Sequence, residues 1–550
     1  MRLTHLLTLV TLLITSPTRA ADPAQAPAPA PPLASRPNIV IILVDDLGYS
    51  DLGCYGSEIP TPNLDRLAQS GLRFTHFYNA GRCCPSRAAL LTGLHPHQAG
   101  VGCMIDGYAK SVRDQLDSPA YADHLSPSCP TIAELLRAGG YRTLMCGKWH
   151  LGYRRLQWPA RRGFDRSLVQ IDGAMNYFGP GVQHTPGDVP PMALNDQPFT
   201  PPRENFYATD AYTEQAVEWL TEAAAEKKPF FLYLAYSAPH WPLHAPAQDI
   251  ARHLGKYRDG WEAVRKARHR RQLQLGVADA KWGMAPPDRG PHKPWHELTD
   301  AQRDEWDLRM AVYAAQVERM DAGIGRVLEA LRQTGVEQNT LVLFLSDNGG
   351  AAEDPKKGKP GAVTGTRDSY AGYGRPWATV SNTPLRLHKQ RMHEGGISTP
   401  AILYWPGRVA APGSITPQPA HLIDVLPTCL AAAGVERAQQ QDIDAKPAPP
   451  EGINLLPVLS GGTLPDRTLC WEHEGHRAAR HGNWKLVALH GGDWELYDLA
   501  ADRTESHNLA ATHPQKVAEL KKLYESWSTR CGVLPYPAPP PKPTSTPAAR

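Results

Sequence analysis

The sequence predicts an α/β fold: a large, mostly parallel sheet sandwiched by helices, followed by a smaller C-terminal α+β domain. Three observations carry this. Short β-branched runs alternate with helical segments along most of the chain, the pattern of strand–helix–strand crossovers. The runs are apolar almost throughout, as a strand buried on both faces must be. Beyond about residue 465 the texture changes to short strands separated by glycine turns, and a helix closes it.

The first strand is NIVIILV, Asn38–Val44. A helix follows over Thr61–Ser70, with Thr at the cap, Pro62 at the first helical position and Gly71 as the stop. Pro85 fits the first position of another helix, continued by Ala88–Leu91 up to Gly93, which places Cys83 and Cys84 just before its start. Thr131–Ala138 reads as helix and Arg142–Cys146 as strand. Asp210–Ala225 is helical, and FFLYLA, Phe230–Ala235, is a strand. Asp307–Leu331 carries one or two helices, then TLVLFL, Thr340–Leu345, and AILYW, Ala401–Trp405, are strands. In the last segment WEHEGHRAARHGNWKLVALHGGDWELYDL gives the short strands, and Gln515–Ser528 the helix.

The ends read differently. Arg2, the apolar run Leu6–Ile14 and the small residue Ala20 form the pattern of a secretory signal peptide over 1–20. The run is too short to span a bilayer comfortably, so no stable membrane insertion is expected. Residues 21–36 are a Pro/Ala-rich linker and 535–550 a Pro-rich disordered tail. Between them lie a main domain over 37–465 and the smaller one over 466–534. With 58 basic and 55 acidic residues the net charge is +3, too balanced for a nucleic-acid binder. Export permits disulfides, but the nine cysteines are odd in number and show no CxxC pair. Cys83 and Cys84 are adjacent and poorly placed to pair with each other.

In open α/β sheets ligands collect beyond the carboxyl ends of the strands. There this sequence has Asp45-Asp46, Asp347-Asn348, Lys148 with His150, and His240. Three carboxylates and an amide oxygen are hard ligands that suit Ca²⁺ or Mg²⁺; without a cation they would repel one another. Either pair alone reads as turn residues, and it is the two pairs at two strand ends that point to a metal. Lys148 and His150, two apart, share a face of an extended segment and can neutralise an anion and move a proton. A helix start favours an anion at Cys83, with Arg87 adding a charged fork, and a thiolate there would be a plausible nucleophile. These residues describe a hydrolase for an anionic ester with a divalent cation, and leave phosphate, sulfate and acyl substrates open.

The stretch CCPSRAALLTG, 83–93, matches the signature C-x-P-S-R-x-x-x-L-T-G at every fixed position. VDDLGY (44–49), GKWHLG (147–152), APHWP (238–242), SDNGG (346–350) and PLRLHKQRMHEGG (384–396) follow in family order. Over roughly residues 36–530 the chain resembles the type I, formylglycine-dependent sulfatases, arylsulfatase-like members of the alkaline phosphatase superfamily. The resemblance implies that 37–465 is a sulfatase catalytic domain with an alkaline phosphatase-like fold. It implies that Cys83 is oxidised to Cα-formylglycine by a separate maturation enzyme, leaving eight cysteines. One hydroxyl of the hydrated aldehyde would attack sulfur to give a covalent sulfo-enzyme, and deprotonating the second would expel sulfate. Asp45, Asp46, Asp347 and Asn348 would hold one Ca²⁺, with Asp347 also helping to deprotonate the attacking hydroxyl. Arg87, Lys148 and Lys389 would balance negative charge, His150 would be the base of the second step, and His240, with Lys389, would protonate the leaving oxygen. The bacterial branch and the signal peptide together imply a periplasmic enzyme acting on a sulfated small molecule or glycan.

The sequence departs from the family twice. Leu387-His388 replaces the usual Gly-Gly before the lysine, and the family's serine near the sulfate has no match in GFDRSLVQIDGAMNYF, 163–178. A phosphonate monoester or phosphodiester hydrolase of the same superfamily, or a noncatalytic binding protein on the same fold, are the competing readings. His244, His388 and His393 are read as surface or packing residues rather than substrate contacts, and Trp241, Trp377 and Tyr373 as packing residues rather than the lining of an aromatic pocket. The basic segment Gly255–Arg289 is read as a cap over the site or a solvated face.

Overall fold

The computed structural model describes residues 36–181, 190–355, 357–436 and 448–537. The signal peptide, the linker apart from Arg36, and the tail beyond residue 537 lie outside the described residues.

Eleven strands form the main sheet. In chain order they are β1 (Asn38–Val44), β2 (Leu72–Tyr78), β3 (Arg142–Lys148), β4 (Arg166–Gln170), β5 (Met192–Leu194), β6 (Gln197–Phe199), β7 (Phe230–Ala235), β8 (Thr340–Ser346), β9 (Ser398–Tyr404), β10 (Ile415–Thr416) and β11 (Ala420–His421). Across the sheet the order is β10, β2, β9, β8, β1, β7, β3, β4, β5, β6, with β11 also on β2. β1 is central and parallel to both neighbours, with Ile41 opposite Tyr233 of β7 and Leu343 of β8. β9 runs antiparallel to β2 and β8, and at the far edge β5 is antiparallel to its neighbours β4 and β6.

Alternate residues of β1 feed two cores, which is why its sequence is apolar almost throughout. Val40, Ile42 and Val44 enter the core under the helices Ala208–Ala225 and Asp300–Gln333. Ile39, Ile41 and Leu43 enter the core under Cys83–Thr92, Ile132–Ala138 and Val425–Ala433. Asp300–Gln333 is one continuous helix. It begins earlier than the sequence suggests because Thr299 and Gln302 cap it reciprocally. Two starts differ from expectation. Thr61 makes no side-chain cap, since its hydroxyl accepts from Gly53 and bonds Asp65 instead. The helix at the signature begins at Cys83, with Arg82 as its cap residue, so both cysteines lie in the first turn and not before it.

The C-terminal part is a four-stranded antiparallel sheet, β12 (Thr468–His473), β13 (His476–His481), β14 (Trp484–Ala488) and β15 (Glu495–Asp498), covered by the helix Pro514–Cys531. A buried ion cluster joins it to the main sheet: Lys485 Nζ lies 2.9 Å from Glu394 Oε1, and Arg503 Nε donates to Glu394 Oε2 at 3.1 Å. Burial alone would raise the Glu394 carboxyl, but the Lys485 and Arg503 charges outweigh it and hold the carboxyl far below its usual range. Lys485→Ala leaves that charge half-compensated, and is expected to lower stability by about 3–5 kcal/mol, read as a fall in the denaturant midpoint.

The segment Gly255–Arg289 contributes nothing to the catalytic cavity; it has a solvated face, on which Lys256, Arg258, Lys266 and Arg270 are exposed, and a buried one. Its helix Trp261–Leu275 sends Arg268 inward to Glu58 (2.8 Å) and Asp51 (2.5 Å). Asp51 in turn accepts from the Gly48 amide at 2.8 Å and the Tyr313 hydroxyl at 2.7 Å. The insertion thus braces the turn that follows Asp45-Asp46. All nine cysteines are buried.

Candidate active site

The carboxyl ends of β1, β3, β7 and β8 converge, as the topology requires. Asp45 follows β1 and receives Lys148 Nζ from the end of β3 at 2.6 Å. Asp347 follows β8 and is clasped by Arg87 of the signature helix, Nη2 at 2.7 Å and Nε at 3.1 Å. Arg87 Nη1 also holds the Lys148 carbonyl at 2.9 Å. Asp46 sits in the left-handed region, φ 66°, which turns its carboxylate toward Asn348 Nδ2 (2.6 Å) and Lys389 Nζ (2.8 Å). All of these side chains are buried.

Two oxygens in this cluster, Asp45 Oδ1 and Asn348 Oδ1, are buried and hydrogen-bonded to nothing among the described residues. Such groups are costly unless something else satisfies them. Burial, the Asp45 charge and the nearby Glu353 raise the Asp46 carboxyl to about 7 despite Lys389. Burial and Asp45 likewise raise Asp347 well above the usual range. Orphaned hard oxygens among mutually repelling carboxylates fit a divalent cation such as Ca²⁺.

Cys83 lies on the floor of a cavity of about 260 Å³ whose walls include His150, His240 and Lys389. Burial alone would raise its thiol, but Lys148, Lys389 and His150 outweigh it and bring the pKa down to about 5. This position therefore favours an anion. His150, itself at φ 53°, places Nε2 2.9 Å from Asp106 Oδ1. His240 bonds the Trp241 carbonyl through Nδ1, and Nε2 stands 3.3 Å from Lys389 Nζ. Burial and the Lys389 charge keep the His240 ring neutral, far below its usual pKa.

The sulfatase family model matches residues 37–435. The chain belongs to the sulfatase family. It is thereby a sulfuric ester hydrolase. An uncharacterized sulfatase of Schizosaccharomyces pombe is 34% identical over 534 residues, 92% of this chain and 95% of that protein. The arylsulfatase of Klebsiella aerogenes is 34% identical over 446 residues, 77% of this chain and 92% of that one. Among solved structures, Ps i-CgsB in complex with a neocarrahexaose superposes with a TM-score of 0.64 at 27% identity, covering 90% of this chain and 93% of that one.

The ten residues singled out in this sulfatase, Asp45, Asp46, Cys83, Arg87, Lys148, His150, His240, Asp347, Asn348 and Lys389, lie together in one buried site. Leu387-His388 does not displace the lysine: Leu387 takes φ 64°, and the Lys389 amide bonds the Gly350 carbonyl at 3.2 Å. The residues outside the site behave as read. His244 bonds the Ser369 carbonyl at 2.9 Å, Trp377 the Trp306 carbonyl at 3.0 Å, and Tyr373 stacks on Tyr313. Trp241 is the exception and lines the cavity.

Sequence reasoning missed Asp106, Arg82, Glu353 and Gly173, all in the cavity wall. Glu353 receives the Trp241 indole N–H at 2.8 Å and pairs with Arg82 at 2.8 Å and Lys389 at 3.3 Å. Gly173 comes from the segment 163–178, where no site residue was assigned. A Cβ there would lie 2.7 Å from His150 Cε1, so the ring rests against bare backbone. No motif marks these four, and only Arg82, next to the signature, had a sequence cue.

Proposed function

We propose that this sulfatase hydrolyses sulfate esters in the manner of arylsulfatases, using residue 83 as formylglycine and forming a covalent sulfate ester on it. The observation that carries this is the placement of Cys83, the signature cysteine, where Lys148, Lys389 and His150 converge beside a buried oxygen-rich cluster. The thiol stands where the hydrated aldehyde would be. That hydrate supplies a hydroxyl nucleophile and a second hydroxyl whose deprotonation releases sulfate, so no water need attack a hindered sulfur. Asp45, Asp46, Asp347 and Asn348 would hold Ca²⁺, which would orient and polarise the ester oxygens.

The chain's own groups do the rest. Lys148, Arg87 and Lys389 place fixed positive charge where negative charge develops, in a site with little water. His150 takes the proton of the second step. Neutral His240 is hydrogen-bonded to Lys389, and the pair delivers a proton to the leaving oxygen. Export through the N-terminal segment is part of the same proposal.

Mass spectrometry of the peptide spanning residue 83, from protein made with a maturation enzyme, is expected to show the aldehyde or its hydrate. An unmodified thiol in otherwise active protein removes the proposed nucleophile. Side-by-side kinetics should give a higher kcat/KM for an aryl sulfate than for a phosphodiester; the reverse order makes the chain a phosphodiesterase.

A further inference from the structure

His150 has two ring nitrogens with different fates. Nε2 meets Asp106 Oδ1 at 2.9 Å. Nδ1 is buried and hydrogen-bonded to nothing among the described residues, although the ring lies close enough to Cys83 for each to shift the other's pKa. The Asp106 carboxylate is 4% exposed as a residue, so its charge is little screened by water. The same Oδ1 also accepts from the Tyr153 hydroxyl, which reaches Asp172 Oδ1 at 3.3 Å. Gly173 closes the other side of the ring, with no room for a side chain. Asp106 and Gly173 thus hold the ring from two separate segments.

We propose that Asp106 is a positioning residue for the desulfation step. It fixes His150 as the Nε2–H tautomer, points the Nδ1 lone pair at the oxygen on residue 83, and stabilises the imidazolium that forms. A carboxylate that orients an imidazole and balances its charge plays the same part in serine hydrolases. The proposal rests on the reading of residue 83 as formylglycine. In the step itself the O–H bond of the free hydroxyl breaks and its proton goes to Nδ1. Its electron pair becomes the C=O bond, and the C–O bond to sulfate breaks with its pair leaving on sulfate. Asp106 keeps its negative charge throughout and faces the new positive charge through the Nε2–H bond. Burial disfavours a charged His150 and the Asp106 carboxylate favours it, so the carboxylate stabilises the imidazolium once it forms.

The test is Asp106→Asn in matured enzyme, with formylglycine content measured on the same sample and 4-nitrophenyl sulfate as the probe. Sulfation of residue 83 does not use His150 as a base, so the first turnover is expected to stay fast. One equivalent of nitrophenol per matured site should appear as a burst, followed by a steady state slower than the parent's by on the order of 10²- to 10³-fold. Acid-quenched samples should carry sulfate on the residue 83 peptide. An unchanged kcat, or a burst slowed as much as the steady state, overturns the proposal.

A second readout needs neither formylglycine nor turnover. In the Cys83→Ala protein, nitrogen NMR of the His150 ring in alkaline buffer should show the proton on Nε2, and Asp106→Asn in that background should lose this preference. A proton on Nδ1 in the Cys83→Ala parent overturns the proposal even if the Asn variant fails to fold. A wild-type enzyme without formylglycine would instead sink the reading of residue 83 and leave the tautomer result standing.

Discussion

Cys83→Ala is expected to lower turnover by about 10⁶-fold, the scale seen when an enzyme's nucleophile is deleted, while Cys84→Ala keeps kcat within a few-fold of the parent. The two thiols are neighbours in sequence and opposites in environment. Cys83 lines the cavity and is held as an anion by Lys148, Lys389 and His150. Cys84 points away, with its sulfur 3.4 Å from Met104 Sδ and 3.9 Å from the Cys103 carbonyl, and burial raises its thiol well above the usual range. It is a small apolar packing group, and truncation should cost only about 1 kcal/mol of stability. The measurement is kcat on an aryl sulfate for both variants, with unfolding midpoints to show that each is folded. Loss of activity in Cys84→Ala with retention in Cys83→Ala would move the nucleophile to Cys84.

The sequence carried the fold where burial leaves a simple mark. β1 is legible because both its faces are covered, so nearly every position must be apolar. β2 was not legible: LRFTHFY mixes Arg73, Thr75 and His76 into the strand, and these make bonds to the Cys54 and Thr416 carbonyls and to each other. The clustering of the candidate ligand and nucleophile residues was legible because β-strand ends and the signature helix fix their positions locally. Asp106 was not. It lies on an irregular stretch between the signature helix and the helix Lys110–Leu116, and only tertiary packing brings its carboxylate to His150. Glu353 and Gly173 are hidden for the same reason. In the insertion 255–289 the basic composition marks the solvated face carrying Lys256, Arg258, Lys266 and Arg270, but gives no sign that Arg268 turns inward against Asp51 and Glu58.

Removing calcium is expected to lower activity by roughly 10⁴-fold, the several kcal/mol that a Lewis acid contributes to a charged transition state, and to change how stability depends on pH. The sign follows from the carboxyls. In the metal-free protein Asp46 titrates near 7, against 3.8 for an ordinary aspartate, because burial and its acidic neighbours oppose its charge. Its proton is held more tightly folded than unfolded. Its contribution to stability is therefore present in full below about pH 4 and is lost as pH rises through about 7. Asp347, raised by burial and by Asp45, acts in the same direction. A bound cation would reverse the preference, since it would favour the ionised carboxylates and would give Asp45 Oδ1 and Asn348 Oδ1 the partner they lack. Chelated enzyme should accordingly lose thermal stability between about pH 4 and pH 7, and calcium-loaded enzyme should not. At neutral pH calcium should raise Tm in a concentration-dependent way, with binding accompanied by proton release in calorimetry run in buffers of different ionisation enthalpy. Equal pH–stability curves with and without calcium would mean that these four residues do not hold the ion.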